Sequence, residues 1–466
     1  MGHYKKLLAC VKGTDAGHFQ RTLKLMRSYF CQLFIASCLL SSCSVSKQIY
    51  KQAGNILLKD SAIRQGHIGI SIYEPATGKY WYEHNADKFF IPASNTKLFT
   101  LYAGMKYLGD SLVGLRYAEK GASITIYPAA DPTFLLPEYK KQFVFEFLKT
   151  KNNISYCSQL FSDNLGNGWA WNDYKEPYMA QSSEMPIYGN LIRVYGNTDG
   201  FSIVPGNILL HNPAKNNTNN FGFQIALHRE WNKNEVFLSV DSSRVSRQSI
   251  YEITLVPGIY EVPEFLADTL KKKINFVPNK KVDSINNNDI RLNKIHSQPS
   301  DSLFKPMMHR SDNFFAEQTL LMASNEKLGY MSDKEIIDTV LKTHLKGIPQ
   351  KPKWVDGSGL SRYNLFTPQS FIYLLNKMKK EFDWERIKNI LPTGGEGTLS
   401  NYYKTEAGFI FAKTGTLSNN CALSGYLITK KNKLLIFSVL ANNYQTGATP
   451  VRRAVEKFIK NIREKY

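Results

Sequence analysis

Hydrophobic and polar residues alternate near both ends of this chain in patterns that predict two hairpins. In His67-Ile68-Gly69-Ile70-Ser71-Ile72-Tyr73 the isoleucines fall on every second residue, the period at which a strand returns to the same face. Glu74-Pro75-Ala76-Thr77-Gly78 is a turn signal, and Lys79 to His84 completes the hairpin. Near the other end, Leu423 to Thr429 and Leu434 to Leu440 are strongly apolar and flank the polar turn Lys430-Lys431-Asn432-Lys433. Val451, Ala454, Val455, Phe458, Ile459 and Ile462 then recur at three- and four-residue steps, the spacing of an amphipathic helix. Another helix is expected over Lys47 to Lys59. Together these elements predict one sheet built by both chain ends and covered by helices.

Residues 117–298 read differently. Short β patterns alternate with polar turns such as Asn212-Pro213-Ala214-Lys215-Asn216-Asn217-Thr218 and Asp283-Ser284-Ile285-Asn286-Asn287-Asn288, and the region is poor in long helices. The expected organisation is therefore a split domain, residues 44–116 plus 299–466, interrupted by one or two inserted β-rich domains at 117–298. No internal repeat is visible.

The first 43 residues form no part of that plan. Tyr29 to Leu40 is apolar, follows Arg21, Lys24 and Arg27, and is succeeded by small residues, the three parts of a secretory signal. It is too short to span a bilayer comfortably. It ends in Leu40-Ser41-Ser42-Cys43, which resembles a bacterial lipobox, so Cys43 is expected to be lipidated and to become the mature N-terminus. Met26 would give a signal of more usual length, and residues 1–25 read as an over-extended start.

Composition narrows the class. A chain of 466 residues has room for two to four domains, and 43% hydrophobic with 21% charged residues is an ordinary globular balance. After the leader no apolar run is long enough for a polytopic membrane protein. The formal charge of +20 is spread along the chain without a nucleic-acid-binding motif, so it reads as a basic surface suited to anionic membrane or wall polymer. Of the six cysteines, Cys10, Cys31, Cys38 and Cys43 lie in the leader. Cys157 and Cys421 match no metal spacing and are expected as buried free thiols.

Three short motifs carry chemistry. In Pro92-Ala93-Ser94-Asn95-Thr96-Lys97 the serine and lysine stand three apart at a helix start, on one face. A serine hydroxyl needs a neighbouring base, and a lysine made neutral by burial can be that base. In Ser311-Asp312-Asn313 a hydroxyl can relay a proton and an amide can hold a substrate carbonyl or amide. In Lys413-Thr414-Gly415-Thr416 a strand edge offers an ammonium and hydroxyls to a carboxylate, while Gly415 admits a second backbone. The Thr416 N–H can share an oxyanion hole with that of Ser94. Singly each motif is common; in this order they are the S-x-x-K, S-D-N and K-T-G boxes of penicillin-interacting serine enzymes.

The sequence resembles the D-alanyl-D-alanine carboxypeptidase/endopeptidases, the low-molecular-mass class C penicillin-binding proteins. Beyond the boxes, the likeness includes Ala316-Glu317, Asp356-Gly357-Ser358-Gly359-Leu360-Ser361-Arg362, Leu391-Pro392-Thr393-Gly394-Gly395-Glu396-Gly397-Thr398-Leu399 and Gly425-Tyr426. In the insertion only Asp131-Pro132-Thr133-Phe134 and Gly168-Trp169-Ala170-Trp171-Asn172-Asp173 look familiar. Ala129-Ala130 stands before Asp131 where the family usually has glycines.

The resemblance implies an α+β fold: a serine β-lactamase/DD-peptidase-like catalytic domain split by β-rich insertion. It implies acyl transfer without metal or cofactor, on peptidoglycan stem peptides or their cross-links, with β-lactams acylating the same serine. Ser94 attacks, Lys97 takes its proton, and Ser311, near Lys97 and Lys413, passes the proton to the leaving amine. Asn313 orients the peptide; Lys413, Thr414 and Thr416, with Gly415 between them, bind the terminal carboxylate. Asp356, Ser358 and Arg362 either shape the site or belong to a structural turn. An exported, periplasmic, lipid-anchored enzyme is expected, with no nucleic-acid partner; carboxypeptidase and endopeptidase action are both open. A serine β-lactamase or related esterase shares the boxes, but the large insertion and the K-T-G strand fit a carboxylate-bearing peptide better. A non-catalytic wall-binding lipoprotein would not need the full set of boxes.

Overall fold

A computed structural model describes residues 45–197, 200–211, 226–239, 250–278 and 292–466. The leader with Cys43, and the polar turns at 212–218 and 283–288, lie outside the described residues.

The two ends of the chain do build one sheet. Its five strands run in the order Ile410–Leu417, Asn420–Ile428, Leu434–Asn442, His67–Glu74, Lys79–His84. All neighbours are antiparallel, and the ends are joined where Ile68, Ile70 and Ile72 stand opposite Ala441, Val439 and Phe437. Because side chains alternate across a strand, each strand serves two cores. Ile70, Ile72, Leu435, Phe437 and Val439 pack under the C-terminal helix Ala448–Lys465, with Phe458, Ile459 and Ile462 fully buried. The N-terminal segment joins this layer; residues 45–52 are α-helical and Ala53–Leu58 continues as π-helix. Ile436, Leu440, Ala422 and Tyr426 face the opposite way, into a helical cluster.

At the centre of that cluster lie the helices Lys97–Tyr107 and Asn313–Leu328, buried over most of their surface. A helix buried all round needs neighbours on every side. Here they are Ser300–His309, Asp333–Lys342, Pro368–Glu381 and the sheet. Tyr426 is buried and its hydroxyl donates to Leu375 O at 2.8 Å, tying sheet to helix.

A second five-stranded sheet has the order Ile274–Pro278, Asn153–Ser158, Ser123–Pro128, Ser111–Lys120, Asn293–Pro299. It is mixed: Asn153–Ser158 is parallel to both its neighbours, the other pairs are antiparallel. Two three-stranded sheets adjoin it, one of them centred on Leu191–Asn197. These β-rich elements have their own core around Leu115, Ile126, Tyr156, Ile192 and Leu266. Ala130, where glycine is usual in the family resembled, takes a left-handed φ of 61°. Its carbonyl accepts from Gln318 Nε2 at 2.8 Å, and its N–H donates to Glu184 O at 2.8 Å, so the turn forms without glycine. Cys157 and Cys421 are buried free thiols. Among the described residues no helix is long and apolar enough to cross a membrane.

Candidate active site

Ser94 sits in a short 3-10 segment, Ala93–Thr96, which runs directly into the helix Lys97–Tyr107. The turn is pinned to the sheet from both sides. Ile91 N donates to Asn442 Oδ1 at 2.7 Å while Asn442 Nδ2 donates to Ile91 O at 3.0 Å, and Asn95 Nδ2 donates to Ser424 Oγ at 2.7 Å. Ala93, fully buried, is held at φ 48°. Left-handed backbone at a non-glycine residue costs roughly 1–3 kcal/mol and persists only where the surroundings over-determine it. Ser311 is the second such residue here, at φ 62°.

The three boxes converge on this turn. Lys97 Nζ is 3.1 Å from Ser94 Oγ, 2.6 Å from Asn313 Oδ1 and 2.7 Å from Ser358 O. Lys413 Nζ donates to Ser311 Oγ at 2.8 Å and to Thr414 O at 2.8 Å. Asn313 opens the helix Asn313–Leu328; its Nδ2 donates to Tyr178 O at 2.9 Å, and the preceding Asp312 caps the helix by accepting from Phe315 N at 2.9 Å. Gly415 lies hard against the nucleophile turn. A Cβ there would stand 2.5 Å from Pro92 O and 3.1 Å from Ser94 N. Thr414 is buried and Thr416 exposed on the same strand, Ile410–Leu417, which is an edge of its sheet.

Both lysines are fully buried, and that sets their proton affinity. Burial drives Lys97 down to about 8, against the opposing pull of Glu317, Asp356 and Asp312. Burial, then the neighbouring charges of Lys97 and Arg452, drives Lys413 well below the usual lysine range. A neutral amine has two N–H donors and one lone pair. Asn313 Oδ1 and Ser358 O are acceptors only, so they take the two N–H groups and leave the lone pair for the Ser94 hydroxyl.

The loop Asp356 to Arg362 has a definite task. Glu317, buried on the Asn313–Leu328 helix, accepts from Gly357 N at 2.8 Å and Ser358 N at 2.7 Å. Asp356 accepts from Gly359 N at 2.9 Å, Ser361 N at 2.7 Å and Asn364 Nδ2 at 2.7 Å. These two carboxylates aim the Ser358 carbonyl at Lys97; the Ser358 hydroxyl takes no part in that contact. Burial, then Asp356, pushes Glu317 upward. Arg362 reaches across to Ser418 O at 3.2 Å.

Ser94, Ser311, Asn313 and Thr416 open into a cleft of about 650 Å³ whose far wall includes Trp169, Ala170, Asp173 and Tyr178. Trp169 Nε1 donates to Asp356 Oδ2 at 2.9 Å, so the second set of elements is fastened to the loop behind the nucleophile. Sequence reasoning had no role for Glu317, Tyr178 or Arg452. Glu317 carried a signal, as an acid following Phe314-Phe315-Ala316 in the second box; Arg452 looked like any other basic residue of its helix.

The D-Ala-D-Ala carboxypeptidase 3 (S13) family matches residues 51–204 and 248–464. The D-alanyl-D-alanine carboxypeptidase of Actinomadura sp. (strain R39) is 25% identical over 445 residues, covering 85% of this chain and 81% of that protein. The D-alanyl-D-alanine carboxypeptidase DacB of Haemophilus influenzae is 24% identical over 413 residues, covering 78% and 83%. The crystal structure of penicillin binding protein 4 (dacB) from Haemophilus influenzae superposes with a TM-score of 0.67 at 18% identity, over 89% of this chain and 98% of that one. It shares the fold.

Proposed function

The chain belongs to the D-Ala-D-Ala carboxypeptidase 3 (S13) family and is a serine D-Ala-D-Ala peptidase; on that premise we propose how its residues divide the reaction. Neutral Lys97 takes the Ser94 proton as the serine attacks the carbonyl between two terminal D-alanines of a peptidoglycan stem peptide. The N–H groups of Ser94 and Thr416 hold the oxyanion. Ser311, hydrogen-bonded to Lys413, passes that proton on to the departing amine. Asn313 orients the peptide, and Lys413, Thr414 and Thr416 bind its terminal carboxylate beside Gly415. Water then releases the acyl-enzyme. The observation that carries this reading is the pair of lysine–serine contacts, Lys97 to Ser94 at 3.1 Å and Lys413 to Ser311 at 2.8 Å, facing one cleft.

Residues 44–116 with 299–466 are read as the catalytic domain and 117–298 as the insertion, joined through the strands Ser111–Lys120 and Asn293–Pro299. The substrate lies outside the cytoplasmic membrane, so the enzyme works after export. A lipid on Cys43 would hold it at a membrane surface, and the mass of the mature N-terminus tests that.

The experiment for the whole reading is incubation with labelled penicillin and with purified muropeptides, followed by mass spectrometry. A stable adduct on Ser94, absent from Ser94→Ala, with release of D-alanine or cut cross-links, is expected. Rapid penicillin hydrolysis without muropeptide cleavage would assign a β-lactamase instead.

A further inference from the structure

Behind the K-T-G strand stands an arginine with no counter-ion among the described residues. Arg452 is the fifth residue of the C-terminal helix Ala448–Lys465, and its Nη2 donates to Thr416 Oγ1. Its guanidinium carbon is 5.9 Å from the Tyr402 ring centroid, and its other polar neighbour is the buried Cys421 thiol, a neutral group. The next residue shows what an ordinary surface arginine does: Arg453 pairs with Glu456 at 2.6 Å. Arg452 has no carboxylate partner among the described residues. A half-buried cation without a carboxylate beside it attracts an anion to its neighbourhood.

The hydrogen bond to Thr416 also has a direction. Guanidinium nitrogens only donate. With Arg452 donating into the Thr416 oxygen, the hydroxyl proton is free to point elsewhere, and Thr416 is exposed on the cleft. Thr416 is thereby fixed as a donor facing the space where an acceptor must arrive. Arg452 also lines a small cavity with Thr414 and Cys421, the strand residues on the same face.

We propose that Arg452 is the positioning residue that makes this enzyme select substrates ending in a free carboxylate. It orients the Thr416 hydroxyl toward the incoming carboxylate and supplies positive charge from behind the strand. The inference rests on the reading of Lys413 to Thr416 as the carboxylate-binding strand.

The test compares wild type, Arg452→Gln and Arg452→Lys on a blocked L-Lys-D-Ala-D-Ala peptide and on its C-terminal amide. Penicillin and penicillin methyl ester, followed by adduct mass, repeat the comparison for acylation alone. The Gln variant is expected to lose roughly tenfold in kcat/KM on the free acid, the worth of a charge-assisted contact, with little change on the amide. The Lys variant should recover part of the loss, since it keeps the charge but not the fork. A merely structural role would lower both substrates alike. An unchanged acid-to-amide ratio in Arg452→Gln overturns the inference. A wild type that itself shows no preference for the free acid overturns the carboxylate-strand reading, and Arg452 falls with it.

Discussion

Lys97 Nζ lies 2.7 Å from the carbonyl oxygen of Ser358, a residue of another loop far along the chain. That contact turns a buried lysine into a directed base. Two acceptors occupy its N–H groups, its environment disfavours the proton, and the remaining direction leads to Ser94 at 3.1 Å. A lysine that merely sat near the serine would have neither the lowered affinity nor the orientation.

The pH dependence of acylation follows from this. Protonated Lys97 has no lone pair and cannot accept the Ser94 proton. The active fraction therefore grows as pH rises through about 8, the value to which burial brings Lys97. Pre-steady-state adduct formation with penicillin should accelerate from neutral pH and level off above that region. A rate that stays flat or falls across it would contradict the role given to Lys97.

Glu317 holds the Ser358 carbonyl in place, so Glu317→Gln should act at a distance. Glutamine offers one oxygen where two buried N–H groups, Gly357 and Ser358, need acceptors. An unmet buried donor costs roughly 1–3 kcal/mol. We expect a lower urea midpoint together with slower acylation, because the loop shifts away from Lys97. If unfolding moves but the acylation rate of the folded fraction does not, the loop is a structural turn only.

Two glycines at the nucleophile turn separate fold from chemistry. Gly359 has φ +84°, and a Cβ there would meet Ala93 O at 2.0 Å; Gly415 would bring a Cβ to 2.5 Å from Pro92 O. Gly359→Ala combines backbone strain with a clash against main chain, so it should destabilise by roughly 2 kcal/mol or more. Gly415→Ala has room to give at a sheet edge, and the strand should swing off the Ser94 amide. It should lower kcat more than thermal midpoint, measured side by side by calorimetry and peptide turnover.

The local patterns were legible because they depend on neighbours in sequence. The alternation of Ile68, Ile70 and Ile72, the spacing from Val451 to Ile462, and the three-residue step from Ser94 to Lys97 follow from strand and helix geometry alone. They fixed the terminal sheet, its covering helix and the candidate serine–lysine pair. Other features depend on which distant segments fold against one another, and only the tertiary structure decided them. Glu317 is an acid in an apolar helix until Gly357 and Ser358 arrive with amides to satisfy it. Ala130 is an ordinary alanine until Gln318 and Glu184 hold it at φ 61°. Arg452 is one of many basic residues until the terminal helix lays it behind Thr416. Burial is the common cause. It lowers the proton affinity of Lys97 and raises that of Glu317, and burial belongs to the packed chain and not to any stretch of it.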